Sequence, residues 1–585
     1  MTFQGLLDSL LSDTLQTSVP LFLPELALCG TIVLMLLVRV FNWRIDAFYL
    51  ALVGSAVGLW LALSDLPTIS GDQAAAPVEI FSGMVIFDSI TVFMRTVLLG
   101  FAVLFILLTR LTGLSDREDG PDFFSLVLGA TLGMCLMASA NHLMMVFLAV
   151  EMASVPSYVL AGIIKGRPRA SEAALKYSIF GAGAAGVMLY GISLLAGVLN
   201  SAHLPTMARQ LAALDLGALI AAGEGTETIM VLVLGGLMVM VGLAFKLSAV
   251  PFHFWCPDVF EGASAEVNAF LSVASKAAAL ALLVRVAVGL GYASDRDYTE
   301  PVAVAAAGQS AAIDDRETPV QFTALQVDAA EPAADEPPAE EQIASEDDDS
   351  LVAALGPVRT FMALLVAVIA AITCTFGNLA AYGQENIKRM LAYSTIAHAG
   401  YMMMPVAAAL VVAESNPALA RDAIGAMVFY ITLYVFMNLG AFAIVAFYRN
   451  VLRTEQISDY AGLIRTMPLT VICFAVILVS LIGLPPMAGF VGKFYIFLAL
   501  VRAGGPLMIT LLVIAGINTA ISLVYYLRVI KVMTIDPEPD TRTPASMSFL
   551  PATYVVLVTL PVLVLGVWFN DVAELAQQAV RHLFA

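Results

Sequence analysis

The chain has 585 residues, 60% of them hydrophobic and only 13% charged, with a mean hydropathy of +0.90. Soluble domains carry about 25% charged residues, so the composition excludes a water-soluble protein, implies a polytopic helical membrane protein and gives no sign of a nucleic-acid partner. The net charge of −18 is mostly local: residues 293–350 hold 16 acids against two arginines, or −14, which leaves −4 for all the rest.

Taken in chain order, the N-terminus MTFQGLLDSLLSDTLQTSVP has acids but no lysine or arginine, so it lacks the basic start of a cleavable signal peptide. Apolar runs long enough for a hydrocarbon core about 30 Å thick predict helices over 21–40, 47–64, 84–109, 122–140, 142–163, 171–198, 228–252 and 264–290. The boundary at Asn141-His142 separates two of them. Residues 199–227 mix apolar side chains with His203, Arg209, Asp215 and Glu224, which fits an amphipathic surface connection. Residues 293–350, rich in Ala, Pro and Glu without apolar periodicity, read as a disordered insertion outside the bilayer. Six further helices follow over 358–378, 387–410, 422–448, 467–499, 507–531 and 548–570, fourteen in all.

Lysine and arginine orient the bundle. One set of loops holds Arg39/Arg44, Arg110/Arg117, Lys165/Arg167/Arg169, Lys388/Arg389, Arg449/Arg453/Arg465 and Arg528/Lys531/Arg542. That set faces the cytoplasm, and both termini and the insertion are expected on the periplasmic side. The five cysteines stand singly, with no C-x-x-C pair or Cys/His cluster for a metal.

Of seven lysines, Lys165, Lys388 and Lys531 fall at cytoplasmic helix ends, whereas Lys176, Lys246, Lys276 and Lys493 fall inside apolar segments. A lysine at a helix centre costs about 2.5–3.5 kcal/mol on insertion, so four would cost roughly 10 kcal/mol; such residues face a bundle interior and mark ion paths. Lys176 starts its helix, where a long side chain can instead reach the headgroups. Glu151, mid-span with no polar neighbour in sequence, requires a partner on another helix, and lysine is the natural one. A buried lysine releases its proton readily and a nearby carboxylate opposes the release, so varying their separation suits a proton relay; a static ion pair is the alternative. Glu172 and Lys176 form an i,i+4 pair, Glu25 and Asp88 suit helix starts, and His253 and His398 are the histidines placed to titrate within the bundle. His203 and His582 read as surface residues.

Two helices are broken. Pro251 interrupts KLSAVPFH, and Pro485-Pro486 with Gly489 and Gly492 interrupt LIGLPPMAGFVGKF. In lipid such breaks are tolerated only beside protein or a water-filled cavity. Interrupted helices five apart are the mark of internal repeats, and an odd repeat inverts its second copy. The expected organisation is therefore an N-terminal three-helix segment (1–121), a five-helix repeat (122–292), the acidic insertion (293–350), a second, inverted five-helix repeat (351–531) and a C-terminal helix and tail (532–585).

The segments KLSAVPFHFWCPDVFEGA, QENIKRMLAYSTIAHAGYM and SLIGLPPMAGFVGKFYIF resemble the best-marked parts of the antiporter-like subunits of respiratory complex I. The same family includes subunits of multisubunit sodium/proton antiporters and membrane-bound hydrogenases. A lysine at 493 fits two of the family's types, and a chain ending just after helix fourteen lacks the long lateral helix of one of them. The resemblance implies a proton relay in which Glu151 pairs with Lys246, Lys276 is the central group and Lys493 the terminal one. His253 and His398 would line the axis and Lys176 would support the first pair. It further implies that NADH, FMN, iron–sulfur clusters and quinone belong to partner subunits, with no cofactor or metal in this chain, and that the partners are a neighbouring antiporter-like subunit and small membrane subunits in a bacterial inner membrane. An antiporter or hydrogenase subunit, or a scaffold whose buried charges only hold helices together, are the competing readings.

Overall fold

The computed structural model describes residues 11–43, 45–68, 76–114, 119–292, 352–539, 542 and 546–584. The acidic insertion, Arg44 and Arg117 lie outside the described residues. After short helical turns at Asp13–Ser18 and Val19–Leu21 the helices are α1 Leu23–Val40, α2 Ala47–Asp65, α3 Ser89–Thr112, α4 Gly120–Ser139, α5 Leu143–Ala161 and α6 Pro168–Leu199. The chain continues through α7 Leu204–Ala213, α8 Leu216–Ala222, α9 Thr226–Leu247, α10 Trp255–Gly262 and α11 Ala265–Gly291. Its last part comprises α12 Gly356–Ala381, α13 Ile387–Val412, α14 Pro417–Leu452, α15 Pro468–Ile482, α16 Ala488–Ala503, α17 Gly505–Thr534, α18 Phe549–Val567 and α19 Asn570–Gln578.

Thirteen of the described helices are long and apolar enough to cross a membrane. The helix expected over 467–499 is instead two, α15 and α16, of 15 and 16 residues, on either side of Gly483–Met487. Helices α11, α13 and α14 are enclosed along most of their length and form the centre. By contrast α1, α2, α17 and α18 turn residues such as Val33, Trp60, Val513 and Leu560 outward, as lipid-facing helices do.

The third span is shorter than its apolar run suggests. Val85–Phe87 is a strand paired antiparallel with Val78–Ile80, and the helix begins only at Ser89, where Asp88 accepts from the Thr91 amide at 3.0 Å. The β-branched run VIF favours extended backbone, and Ser82 and Gly83 turn it through positive φ. Between α4 and α5 the chain does break at Asn141-His142, and the Asn141 amide donates to Met84 O at 3.1 Å.

Helices α7 and α8 are the expected surface connection: Leu204, Met207, Ala208 and Leu211 point inward. His203 departs from expectation. It is half-buried, with Nε2 2.8 Å from Glu79 and 3.0 Å from the Asn141 amide group, because the β-hairpin, whose Glu79 lies in its first strand, folds over it. His582 likewise sits within 3.4 Å of the Ser89 amide rather than at a free surface.

Two buried charge clusters fasten the N-terminal helices. Glu25 of α1 meets Arg95 Nε of α3 at 2.8 Å, and Asp88 grips Arg285 of α11 through both guanidinium nitrogens at 2.6 and 2.5 Å. Arg285 also donates to Ala138 O and Thr91 Oγ1 at 2.8 Å each. Bidentate geometry with further hydrogen bonds from the same guanidinium is what makes the buried Asp88–Arg285 pair tolerable.

Candidate functional site

Helix α9 ends because Ser248 adopts a left-handed conformation (φ 58°) three residues before Pro251. The groups freed by the break are met by protein: the indole of Trp255 donates to Phe245 O at 3.0 Å, and the Val250 amide donates to Thr373 Oγ1 at 3.0 Å. At the second break Gly483 is left-handed (φ 91°), and the freed carbonyls of Leu481 and Ile482 accept from Lys493 Nζ itself at 3.0 and 2.9 Å. The two breaks therefore use lysine differently. Lys246 precedes its break, whereas Lys493 follows its own and caps it.

Lys246, Lys276 and Lys493 are 1%, 1% and 3% exposed, and each finds a partner across a helix boundary or break. Lys246 Nζ donates to Ser154 Oγ of α5 at 3.0 Å. Lys276 Nζ donates to Thr395 Oγ1 of α13 at 2.9 Å. Lys493 Nζ lies 4.6 Å from the centre of the Tyr401 ring, a cation–π contact. One turn along α13 from Thr395, His398 is buried between Tyr430 OH, 2.7 Å from Nδ1, and Tyr526 OH, 3.3 Å from Nε2; Tyr526 in turn bonds Ser394. His398 is within electrostatic reach of both Lys276 and Lys493.

Two expectations need correction. Glu151 and Lys246 interact electrostatically but form no direct ion pair among the described residues. Ser154, one turn beyond Glu151 on the same face of α5, takes the ammonium, and Glu151 itself is only partly buried. His253 sits just beyond the first break and is buried. Its ring packs edge-on against Phe376 at 4.4 Å, and Nδ1 has no hydrogen-bond partner among the described residues. Lys176 is not buried: 39% exposed, it pairs with Glu172 at 2.8 Å and Asp258 at 2.9 Å. These groups, with Arg169, Glu261 and Arg389, line an open polar basin of about 220 Å³. Its position in the third turn of α6 lets the long side chain reach that basin. Lys176→Ala is accordingly expected to change proton translocation by less than about twofold, since exposed ion pairs contribute little; initial rates in proteoliposomes check this.

The sequence reading missed Ser154, Thr395, Tyr401, Tyr430 and Tyr526. A signal was present for some of them. In AYSTIAHAGY the polar residues Ser394, Thr395, His398 and Tyr401 recur at three- and four-residue spacing, one stripe of an otherwise apolar helix. Tyr430 and Tyr526 carry no such mark, because a lone tyrosine in an apolar helix looks like packing.

Titratable groups joined by hydroxyls and enclosed in an apolar bundle are what an antiporter-like membrane subunit requires. The family described as NADH:quinone oxidoreductase/Mrp antiporter matches residues 140–308 and 350–519. The NADH-quinone oxidoreductase subunit N of Anaeromyxobacter sp. (strain Fw109-5) is 35% identical, covering 96% of both chains. Subunit N 2 of Symbiobacterium thermophilum is 34% identical over 98% of both. Among solved structures, a chain of respiratory complex I from Thermus thermophilus with bound aureothin is similar at a TM-score of 0.65 and 29% identity, covering 95% of this chain and 99% of that one. The chain belongs to the NADH-quinone oxidoreductase subunit N family.

Proposed function

We infer that this chain is a proton-translocating membrane subunit of NADH:quinone oxidoreductase, complex I, moving protons along Glu151, Lys246, Lys276, His398 and Lys493. The observation that carries this is the central junction: Lys276 of α11 bonded to Thr395 of α13 at 2.9 Å, one turn from a histidine within electrostatic reach of Lys493. Each lysine faces an oxygen or a ring rather than a neutralising carboxylate, so its ammonium is held without being locked. A group held this way can lose its proton to the next as the field changes.

The chain acts as a translocase within an oxidoreductase complex, and the hydride and electron chemistry belongs elsewhere. NADH, FMN, iron–sulfur clusters and quinone are assigned to partner subunits, which include a neighbouring antiporter-like subunit and small membrane subunits. The expected location is a bacterial inner membrane with both termini periplasmic. The two breaks, five crossings apart, fit two inverted repeats (122–292 and 351–531) opening half-channels to opposite sides.

Glu151 is the group through which a neighbour can set the charge on Lys246. Glu151→Gln, which keeps the shape and removes the charge, is expected to cut proton translocation severalfold in the assembled complex while artificial-acceptor oxidation of NADH continues. Unchanged pumping sinks the relay reading. Sodium exchange without NADH:quinone activity in the native assembly would instead make the chain an antiporter subunit.

A further inference from the structure

Lys388 belongs to the first turn of α13, at the end of the bundle that also carries Lys165 and Arg389. From such a position a lysine usually extends into water. This one is turned inward and is 3% exposed. Its Nζ donates to Ala263 O, between α10 and α11, at 2.8 Å and pairs with Glu455 Oε2 at 2.9 Å. Glu455 is 20% exposed, so the buried ammonium touches a carboxylate that reaches the surface. Behind it lies Arg449, 3.7 Å from Glu266, a wholly buried carboxylate with no hydrogen-bond partner for either oxygen among the described residues.

Two polar stripes lead inward from this cluster. On α13 Thr395 stands seven residues after Lys388, on the same helix face and about 10 Å further along the axis. On α11 Asn268, Ser272 and Lys276 follow one another at four-residue steps, and all three are buried. The stripes meet where Lys276 bonds Thr395. Asn268 gives its amide to Phe260 O at 2.6 Å, but its Oδ1 has no partner among the described residues. Buried oxygens left without a protein partner hold water in folded proteins. The space between α11 and α13 thus offers a polar slot with Lys388 at its outer end and Lys276 at its inner end.

We propose that Lys388 is the proton-loading lysine of this chain, taking up protons at the Glu455 surface and passing them through the Asn268–Ser272 slot to Lys276. The proposal rests on the relay reading above and names its point of uptake. A proton arriving from bulk water at the Glu455 carboxylate moves to the neutral amine of Lys388. One N–H bond of the resulting ammonium then breaks to a water in the slot, and a new N–H bond forms on neutral Lys276. No electrons are exchanged; Lys388 returns to its neutral amine, and Lys276 is left as the ammonium that passes the proton onward along the relay. The competing role is a static tie fastening the start of α13 to Ala263.

Arginine separates the two roles, because a guanidinium keeps the charge and the hydrogen bonds but does not release its proton. The test uses the whole complex carrying Lys388→Arg, reconstituted in liposomes. Normal assembly and normal artificial-acceptor oxidation of NADH are expected, with proton translocation slowed about tenfold or more, equivalent to ~1.4 kcal/mol. Translocation within about twofold of the unaltered complex makes Lys388 a tie and overturns the proposal. If Lys388→Arg fails to assemble, Glu455→Gln decides: slowed translocation supports the uptake path, and normal translocation overturns it. Lys276→Met is measured beside them. If it too pumps normally, the relay reading itself has failed, a result distinct from failure of Lys388 alone.

Discussion

Lys246→Met is expected to leave the complex assembled and to lower proton translocation by about tenfold or more, as a barrier raised by ~1.4 kcal/mol or more would do. The two halves of this expectation have separate causes. Stability should hold or rise, because a lysine buried in an apolar span carries an insertion cost of about 2.5–3.5 kcal/mol that methionine of similar length does not. The partner left behind is not orphaned, since Ser154 Oγ also donates to Val150 O of its own helix at 2.6 Å. Translocation should fall because a proton can then pass from Glu151 toward Lys276 only through a stretch with no basic group. Thermal unfolding together with vesicle pH-jump measurements separates the two quantities. A subunit that is less stable yet pumps normally would identify Lys246 as a structural pin.

Arg285→Met should have the largest effect on folding. It leaves Asp88 buried and stripped of both guanidinium bonds at 2.6 and 2.5 Å, though still accepting from the Thr91 amide at 3.0 Å. Removing one member of a buried pair costs about 3–5 kcal/mol, a large share of a typical net stability of about 5–15 kcal/mol. The expected result is a marked loss of subunit from the membrane, with the residual complex active. Adding Asp88→Asn removes the stranded charge and should recover a substantial part of the loss. Subunit abundance in the three variants gives the comparison, and a double variant no better than Arg285→Met would rule out charge burial as the cause.

Much of this arrangement is legible in the sequence because the bilayer makes its demands locally. An apolar run must be long enough to cross, a proline must break it beside protein or water, and a lysine within it must be paid for by a partner. The long apolar spans, the two breaks and the buried state of Lys246, Lys276 and Lys493 all follow from windows of about twenty residues. The failures share one origin. Glu151 and Lys246 were joined because opposite charges attract, but the side chain that reaches the ammonium is Ser154, whose hydroxyl is uninformative in sequence. The ring of His253, which follows the break, meets Phe376, a contact that no window of one helix contains.

Lys176 and Lys388 mark the boundary between the two kinds of knowledge. Their sequence settings favour the opposite of what is found: Lys176 lies among apolar neighbours and is 39% exposed, while Lys388 starts its helix beside Arg389 and is 3% exposed. The sequence by itself determined that this is a multi-span membrane protein with charges inside it, and which residue types could carry protons. Only the tertiary structure decided which way each of those side chains faces and which oxygen it meets. The partners are contributed by segments far away in sequence, such as Thr395 of α13 to Lys276 and the loop residue Glu455 to Lys388, and the rotation of each helix is set by packing against all its neighbours at once, which no window of one helix contains.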